Sequence, residues 1–362
     1  MRVASLEARG FRNLAHAELR LGEALTVVHG ANGAGKTNLL EALYFGLTGR
    51  SCRTRDAREL IAFGESVARV EVAVERDDGA GATAASVSRA EGRRYEIDGA
   101  PAAGDVLDRR PSVAVFLPDR LEVVKGPPAA RRAHLDQVIA AAWPARAEIR
   151  RRYGRALAQR NALLSRVRSG AASASALDAW DRELAREGVE LIAARAAAVA
   201  ELAEPFERTA AELGLAGARL AYAPRSGAEL PEQLAAELAE RRTSDLERGF
   251  SGHGPHLDEL KLEAGDRSLR RYGSQGQQRV ALLALLLAER ELLGRVRGSH
   301  PLLLLDDVMS ELDPARRELL VARVARGGQA LITATEAAHV PEVEGMALVE
   351  VVEGRATEAV LG

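Results

Sequence analysis

The chain has 362 residues, 47% of them hydrophobic, enough for two or three domains with sizeable cores. Its 50 basic residues balance 52 acidic ones, so bulk charge neither requires nor excludes a nucleic-acid partner, and any such partner must meet a local patch. The longest wholly apolar run, Val280 to Ala288, is far shorter than the roughly 18 residues of a membrane span. The N-terminus carries no apolar signal segment, and a single cysteine, Cys52, excludes an internal disulfide, so a cytoplasmic location with no membrane partner is expected.

Arg2 to Ala8, Ala15 to Leu21 and Ala24 to His29 alternate as short strands, with Phe11-Arg12-Asn13 turning between the first two. They lead into Gly30-Ala31-Asn32-Gly33-Ala34-Gly35-Lys36-Thr37, a full match to G-x-x-x-x-G-K-[ST], followed by a helical stretch from Asn38 to Gly46. Strand, glycine-rich loop and helix form a phosphate cradle. Glycines let the backbone wrap an anion, free N–H groups and the helix N-terminus supply positive potential, Lys36 reaches the β- and γ-phosphates, and Thr37 offers its hydroxyl to Mg²⁺. The chain has only three lysines, Lys36, Lys125 and Lys261, and writes its other positive charges as arginine. At position 36 it keeps a compact, flexible ammonium where a planar guanidinium fits poorly.

The polar, basic stretch Gly49-Arg50-Ser51-Cys52-Arg53-Thr54 either lines the nucleotide or is a solvated loop. Val67 to Glu75, Ala84 to Arg89 and Arg93 to Ile97, with a turn at Asp98-Gly99, read as an antiparallel sheet layered on the first lobe. Val113 to Phe116 reads as a buried strand. Beyond Gly126-Pro127-Pro128, Ala129 to about Leu213 is nearly all helix former, an inserted helical domain. Between Arg146 and Arg168 eight arginines stand against one acid, and from Asp178 to Glu212 nine acids stand against four arginines. Two compatible readings follow: an antiparallel hairpin whose faces attract each other, joined by Ser169 to Ser175, or a basic helix turned toward phosphates. Arg150, Arg151, Arg152 and Arg155 are the candidate DNA contacts.

From Phe250 the character is mixed, with a strand from Glu259 to Glu263. His253, His256 and Asp258 fit no strong metal template. Ser274-Gln275-Gly276-Gln277 opens a long apolar helix, where Ser274 can cap and the free N–H groups can meet an anion. Leu302 to Leu305 reads as a strand deep in a parallel sheet, with Asp306 and Asp307 at its C-terminal edge, where ligands of open α/β sheets bind. Asp306 is the expected Mg²⁺ partner, and Asp307 the residue that orients or deprotonates the attacking water. Ser310-Glu311-Leu312-Asp313-Pro314 follows, and Gln329 to Thr333 is another strand, running into Ala334-Thr335-Glu336.

In set and order these segments resemble the ATPase heads of the SMC-like ABC group, and more narrowly the RecF family of bacterial recombination mediators. The narrower match rests on Phe11-Arg12-Asn13, the run from Gly30 to Ala42, Glu59-Leu60-Ile61, Val124-Lys125-Gly126-Pro127-Pro128, Gln159-Arg160-Asn161, Ser274-Gln275-Gly276-Gln277-Gln278-Arg279 and Leu305-Asp306-Asp307. The resemblance implies that Arg12 and Asn38 join the phosphate loop in binding ATP. It implies that Ser274 to Gln277 are a signature completing the site of a second chain, that Asp313 couples the protomers, and that Thr335 takes the switch position. Transporters have histidine there, and a threonine cannot supply the charged γ-phosphate partner, in keeping with slow hydrolysis used as a timer. The chain departs from the family at Leu117-Pro118-Asp119-Arg120-Leu121, where relatives usually carry paired acids after the proline.

The resulting expectation is an α/β ABC-type ATPase head split into lobes 1–125 and 250–362, with an α-helical arm domain, 126–249, inserted between them. One phosphate loop and one signature per chain imply a head-to-tail homodimer closing on two ATP molecules and releasing when the γ-phosphate is lost. DNA is the expected partner, met through arginine contacts to phosphate, and few aromatics favour duplex over stacked single strands. The resemblance adds gapped or junction DNA, repair and replication restart, and loading of RecA with RecO and RecR. A transporter-coupled subunit would share the motifs but normally has a switch histidine and lacks the long insertion. A purely structural protein with a degenerate site is opposed by the intact Lys36, Thr37, Asp306 and Asp307.

Overall fold

The computed structural model describes residues 2–76, 79–102, 112–117 and 121–359. The chain forms two compact units, one made of Met1–Asp119 with Leu293–Gly362 and the other of Arg120–Leu292. Pro118, Asp119 and Arg120, where the chain departs from the family pattern, lie outside the described residues.

The first unit starts with β1 (Arg2–Phe11), β2 (Leu14–Arg20), β3 (Leu25–His29), α1 (Lys36–Thr48), β4 (Val67–Arg76), β5 (Gly79–Ser88), β6 (Gly92–Ile97), β7 (Ala100–Pro101) and β8 (Val113–Phe116). The second holds α2 (Glu122–Lys125), α3 (Pro128–Ala142), α4 (Ile149–Arg168), α5 (Leu177–Glu212), β9 (Ala218–Ala223), α6 (Pro231–Glu240), α7 (Arg242–Arg248), β10 (Glu259–Ala264), β11 (Arg267–Ser268), α8 (Leu269–Tyr272) and most of α9 (Gln275–Arg297). The chain then returns to the first unit with β12 (Leu302–Leu305), α10 (Pro314–Arg326), β13 (Ala330–Ala334), β14 (Met346–Val352) and β15 (Arg355–Ala359).

Two six-stranded sheets build the first unit. The antiparallel one runs β2-β1-β4-β5-β6-β7, and β4 alternates buried and exposed residues along most of its length, as a sheet with one solvated face requires. The other runs β15-β14-β3-β13-β12-β8, with every neighbouring pair from β14 to β8 parallel. All four residues of β12 and all five of β13 are buried, so these strands show no alternation. Helix α1 supplies Leu39, Leu40, Ala42, Leu43, Phe45 and Leu47 to a core that also takes Leu6, Val70 and Val72 from one sheet and Val28, Leu304 and Leu331 from the other. A helix covered this widely needs apolar residues around most of its circumference.

In the second unit the basic and acidic runs become the hairpin of α4 and α5. Arg152 donates to Glu187 at 2.7 Å and also to Glu190, and Arg160 donates to Asp181 at 2.6 Å. Partner numbers fall as arginine numbers rise, so the helices are antiparallel. Arg160 is fully buried and also reaches Asp245 at 2.7 Å and the Ser251 hydroxyl at 2.7 Å. Buried Arg195 grips both oxygens of Asp136 at 2.9 Å and reaches Asp258 at 3.1 Å. The three residues weighed as a metal set are each engaged elsewhere: His253 with Glu237, His256 Nδ1 with the Tyr153 hydroxyl at 2.6 Å, and Asp258 with Arg195.

The unit boundaries differ from the expected 126–249 arm and 250–362 lobe. Strand β9 lies inside the supposedly helical arm and pairs antiparallel with β10, Leu260 opposite Tyr222, in the three-stranded sheet β11-β10-β9. The β9–β10 pairing crosses position 250, and the second unit extends to Leu292, the signature included.

Arg160→Met leaves Asp181 and Asp245, at 3% and 1% side-chain exposure, without this cation. We expect a loss of about 3–5 kcal/mol, typical of a broken buried pair, read as a lower denaturant midpoint.

Candidate nucleotide site

At the end of β3 the chain turns sharply at Gly30, with φ 147°. A side chain is excluded there, because a Cβ would lie 2.3 Å from the Val351 carbonyl oxygen on the neighbouring strand. The loop runs to Gly35, and α1 begins at Lys36 with its free N–H groups facing back along the loop. Lys36 is 8% exposed, and its ammonium donates to the carbonyls of Gly30 at 2.7 Å and Ala31 at 2.9 Å. Burial pulls its pKa below the usual lysine value, while the charges of Asp307 and Asp306 oppose the shift.

The next residue joins the loop to the far end of the chain. The Thr37 hydroxyl lies 3.0 Å from each carboxylate oxygen of Asp306. Asp306 is 6% exposed; burial raises its pKa, and hydrogen bonds from Thr333 and Thr37 work against that rise. The Thr333 hydroxyl donates to Asp306 Oδ1 at 2.6 Å and accepts the Asp307 N–H at 3.0 Å. Asp307 is exposed and left-handed, with φ 49°. Lysine, hydroxyl and two carboxylates therefore meet at a helix N-terminus, with one carboxylate held inside and the other presented outward.

A second shell of contacts sets the loop's position. The Gly354 N–H, in the β14–β15 turn, donates to the Ala34 carbonyl at 2.8 Å, and Asn13 Nδ2 reaches the same oxygen at 3.3 Å. Asn38 donates to Asn13 at 2.8 Å and accepts from Arg53 at 2.9 Å. Arg53 and Arg12 both bind Glu41, a fully buried carboxylate, at 3.1 Å, and the Ser51 hydroxyl adds a 2.5 Å contact. Asn38 thus bonds the Asn13 that reaches the loop, Arg12 is held on Glu41 of α1, and the 49–54 stretch packs on α1 through Ser51 and Arg53. Glu41 and Thr333 were missed by the sequence reading. The available signal for Glu41 was a lone acid amid Leu39-Leu40-Glu41-Ala42-Leu43; for Thr333 it was a hydroxyl in an otherwise apolar strand.

The remaining candidates lie elsewhere. Ser274 caps α9 in a reciprocal box, its hydroxyl accepting the Gln277 N–H at 3.2 Å and its own N–H reaching Gln277 Oε1 at 2.9 Å. Ser274, Gln275, Gly276 and Gln277 are all exposed. Asp313 caps α10 by accepting the Arg316 N–H at 2.9 Å, and Thr335, half-buried, follows the last residue of β13. Of the four arginines assigned to DNA, Arg150 lies 3.3 Å from Asp136, Arg151 pairs with Glu148 at 2.6 Å, and Arg152 with Glu187 and Glu190. Arg155 is exposed and has no ion pair among the described residues.

Known proteins share this arrangement along the whole chain. A model of the RecF/RecN/SMC N-terminal domain matches residues 2–358. The DNA replication and repair protein RecF of Anaeromyxobacter dehalogenans is 42% identical over 351 residues, covering 93% of each chain. The chain belongs to the RecF family. The RecF protein of Deinococcus radiodurans is 38% identical, covering 93% of this chain and 91% of its own. Among solved structures, the recombination mediator RecF with ATP, described as part of the RecFOR pathway, superposes with a TM-score of 0.84 at 28% identity, over 99% of this chain and 98% of that one. An SMC head bound to a winged-helix domain of ScpA superposes at 0.60 with 17% identity and shares the fold. The fold is thus that of an α/β ABC-type ATPase head, as members of the RecF family have.

A Cβ at Gly354, where φ is 76°, would lie 2.1 Å from the Asn13 carbonyl oxygen. Gly354→Ala therefore forces apart the two turns that hold Ala34, and we expect ATP affinity to fall roughly tenfold or more, about 1.4 kcal/mol, in a fluorescence titration.

Proposed function

We propose that this RecF-family chain is an ATP-gated DNA-binding switch of recombinational repair and replication restart. The reading is carried by the contact of the Thr37 hydroxyl with Asp306, which joins the phosphate loop to the carboxylate pair at 3.0 Å. A hydroxyl and a buried carboxylate at the mouth of a phosphate loop fit the oxygen-donor preference of Mg²⁺ bound together with a triphosphate. Backbone N–H groups from Gly30 to Lys36 and the Lys36 ammonium hold the phosphates, and Thr37 and Asp306 hold the metal. Mg²⁺ held there would neutralise charge on the bound triphosphate. Asp307, turned outward, orients the attacking water or takes its proton.

Hydrolysis needs a second chain in this reading. Ser274, Gln275, Gly276 and Gln277 stand exposed at a helix N-terminus and face the γ-phosphate of a partner protomer, with Asp313 coupling the two sites and Thr335 at the switch position. ATP stabilises the closed head-to-tail homodimer by binding it preferentially, and slow loss of the γ-phosphate opens it. In this reading the switch acts with RecO and RecR to load RecA at single-strand gaps.

DNA contacts fall on the outward face of α4. At 100° per residue, Arg151, Arg155, Gln159, Ala162 and Arg166 share one side, all exposed, and Arg160 lies opposite, buried. Arg155 and Arg166 are without an acidic partner among the described residues, so their charge is available to phosphates, duplex or gapped. Arg150 and Arg152 hold α3 and α5 through their ion pairs, and removing them loosens the hairpin.

Sedimentation of wild-type, Lys36→Ala and Ser274→Ala proteins with ATP, ADP or no nucleotide tests the switch. Wild type should dimerise with ATP and bind gapped duplex. Ser274→Ala should bind ATP and stay monomeric, and a wild type that stays monomeric with ATP, or dimerises equally without it, contradicts the gating. For DNA, Arg155→Ala and Arg166→Ala should each weaken binding on every sequence tested and lower the slope of log affinity against log salt by about one.

A further inference from the structure

We propose that Thr333 is the positioning residue that sets both carboxylates at the end of β12. The inference rests on the reading of Asp306 and Asp307 as the metal-binding and water-facing groups.

Residue 333 sits among Leu331, Ile332 and Ala334, each at most 1% exposed, and is itself fully buried. Valine has the same shape and a strand preference at least as good, so an apolar residue would suit the packing. A buried hydroxyl is costly unless its hydrogen bonds are made. Here both are made, and to two successive residues of the neighbouring strand's end. The single proton goes to Asp306 Oδ1 at 2.6 Å, and a lone pair receives the Asp307 N–H at 3.0 Å.

Each bond has a consequence. A hydroxyl carries one proton, so Thr37, equidistant from both Asp306 oxygens, cannot by itself fix the carboxylate plane. Thr333 breaks that symmetry: it occupies Oδ1 from the β13 side, so Oδ2 is contacted only by Thr37, the other proposed metal-holding group. The second bond anchors Asp307 in the left-handed region, φ 49°, which a non-glycine residue does not adopt without support. Asp307 is exposed beside the buried Asp306 in that anchored conformation. Thr335, at the proposed switch position, follows the end of the same strand, one residue beyond Ala334.

The test compares Thr333→Val, which removes the hydroxyl and keeps the shape, with Thr333→Ser, which keeps the hydroxyl. A fluorescent ATP analogue is titrated with EDTA and at graded Mg²⁺, and ATP turnover is measured alongside. Thr333→Val should bind nucleotide like wild type in EDTA, need 10- to 100-fold more Mg²⁺ for half-maximal effect and turn over 10- to 100-fold more slowly, while Thr333→Ser stays within about threefold of wild type. Where the valine protein unfolds early in a thermal scan, Thr333→Ala provides the same comparison. A wild-type Mg²⁺ requirement in the hydroxyl-free protein overturns the proposal, as does a serine protein as impaired as the valine one. Asp306→Asn separates the two levels: if it also keeps wild-type Mg²⁺ dependence, the metal reading of the site fails, and if it alone loses that dependence, only the role of Thr333 fails.

Discussion

Everything at the nucleotide site depends on three adjacent parallel strands, β3, β13 and β12, buried on both faces. Because they run the same way, their C-terminal ends open on one edge of the sheet, and whatever follows them in sequence meets there. Register fixes the meeting: Val28 lies opposite Thr333, and Leu305 opposite Ile332. Gly30, Asp306 and Thr335, drawn from both ends of the chain, become neighbours of one edge by this pairing alone. A slip of one residue in β12 would turn Asp306 to the other face of the sheet and leave Thr37 and Thr333 without their acceptor. The apolar content of these strands, four leucines in β12 and Leu-Ile in β13, is therefore what holds the chemistry in place, although none of it touches a ligand.

Features encoded in a short run of residues were legible. The phosphate loop, the Leu302–Leu305 strand with its two acids, the Asp98-Gly99 turn and the cap at Ser274 each carry their signal within a few positions, and the structure has all of them. The sequence hid what depends on partners distant in the chain. Glu41 is read as one acid in a helix until Arg12 and Arg53, 29 and 12 residues away, converge on it. Thr333 is an ordinary strand residue until β12 is laid beside it. The unit boundary read from composition differs from the structural one for the same reason: Ala218–Ala223 is too short to outweigh the helical composition around it, and its pairing with β10 appears only in three dimensions.

The arginine-rich segment shows how one composition serves two purposes. Helical geometry divides the arginines of α4 by angle: Arg160 enters the interior, Arg150 and Arg152 flank it, and Arg155 and Arg166 face away. Inside, the guanidinium suits the task better than an ammonium, because its fork meets two carboxylates and a hydroxyl at once, as Arg160 does with Asp181, Asp245 and Ser251. The inner face of α4 thus meets the hairpin reading, and the proposed phosphate contacts would fall on its outer face. The charge of the segment overstates the cations available to a phosphate partner, because four of its eight arginines, Arg150, Arg151, Arg152 and Arg160, pair with carboxylates within the fold.

The phosphate loop is backed by turns from both ends of the chain, and this bears on how ATP can act. Arg12 holds a left-handed conformation, φ 54°, that is unfavourable for its residue type. It persists because its N–H donates to the Leu60 carbonyl at 2.8 Å and its guanidinium is clamped on Glu41. Asn13, the next residue, and Gly354 then hold Ala34 from two sides. A loop constrained this way loses little conformational freedom when a triphosphate binds, so little of the binding free energy is spent on ordering it. In the proposed switch, that leaves more of the affinity for ATP to favour the closed dimer over the open one, since a ligand shifts such an equilibrium only by the difference in its affinity for the two states. Rigidity in the loop and mobility between protomers are then two sides of one arrangement: the first lets the γ-phosphate govern the second.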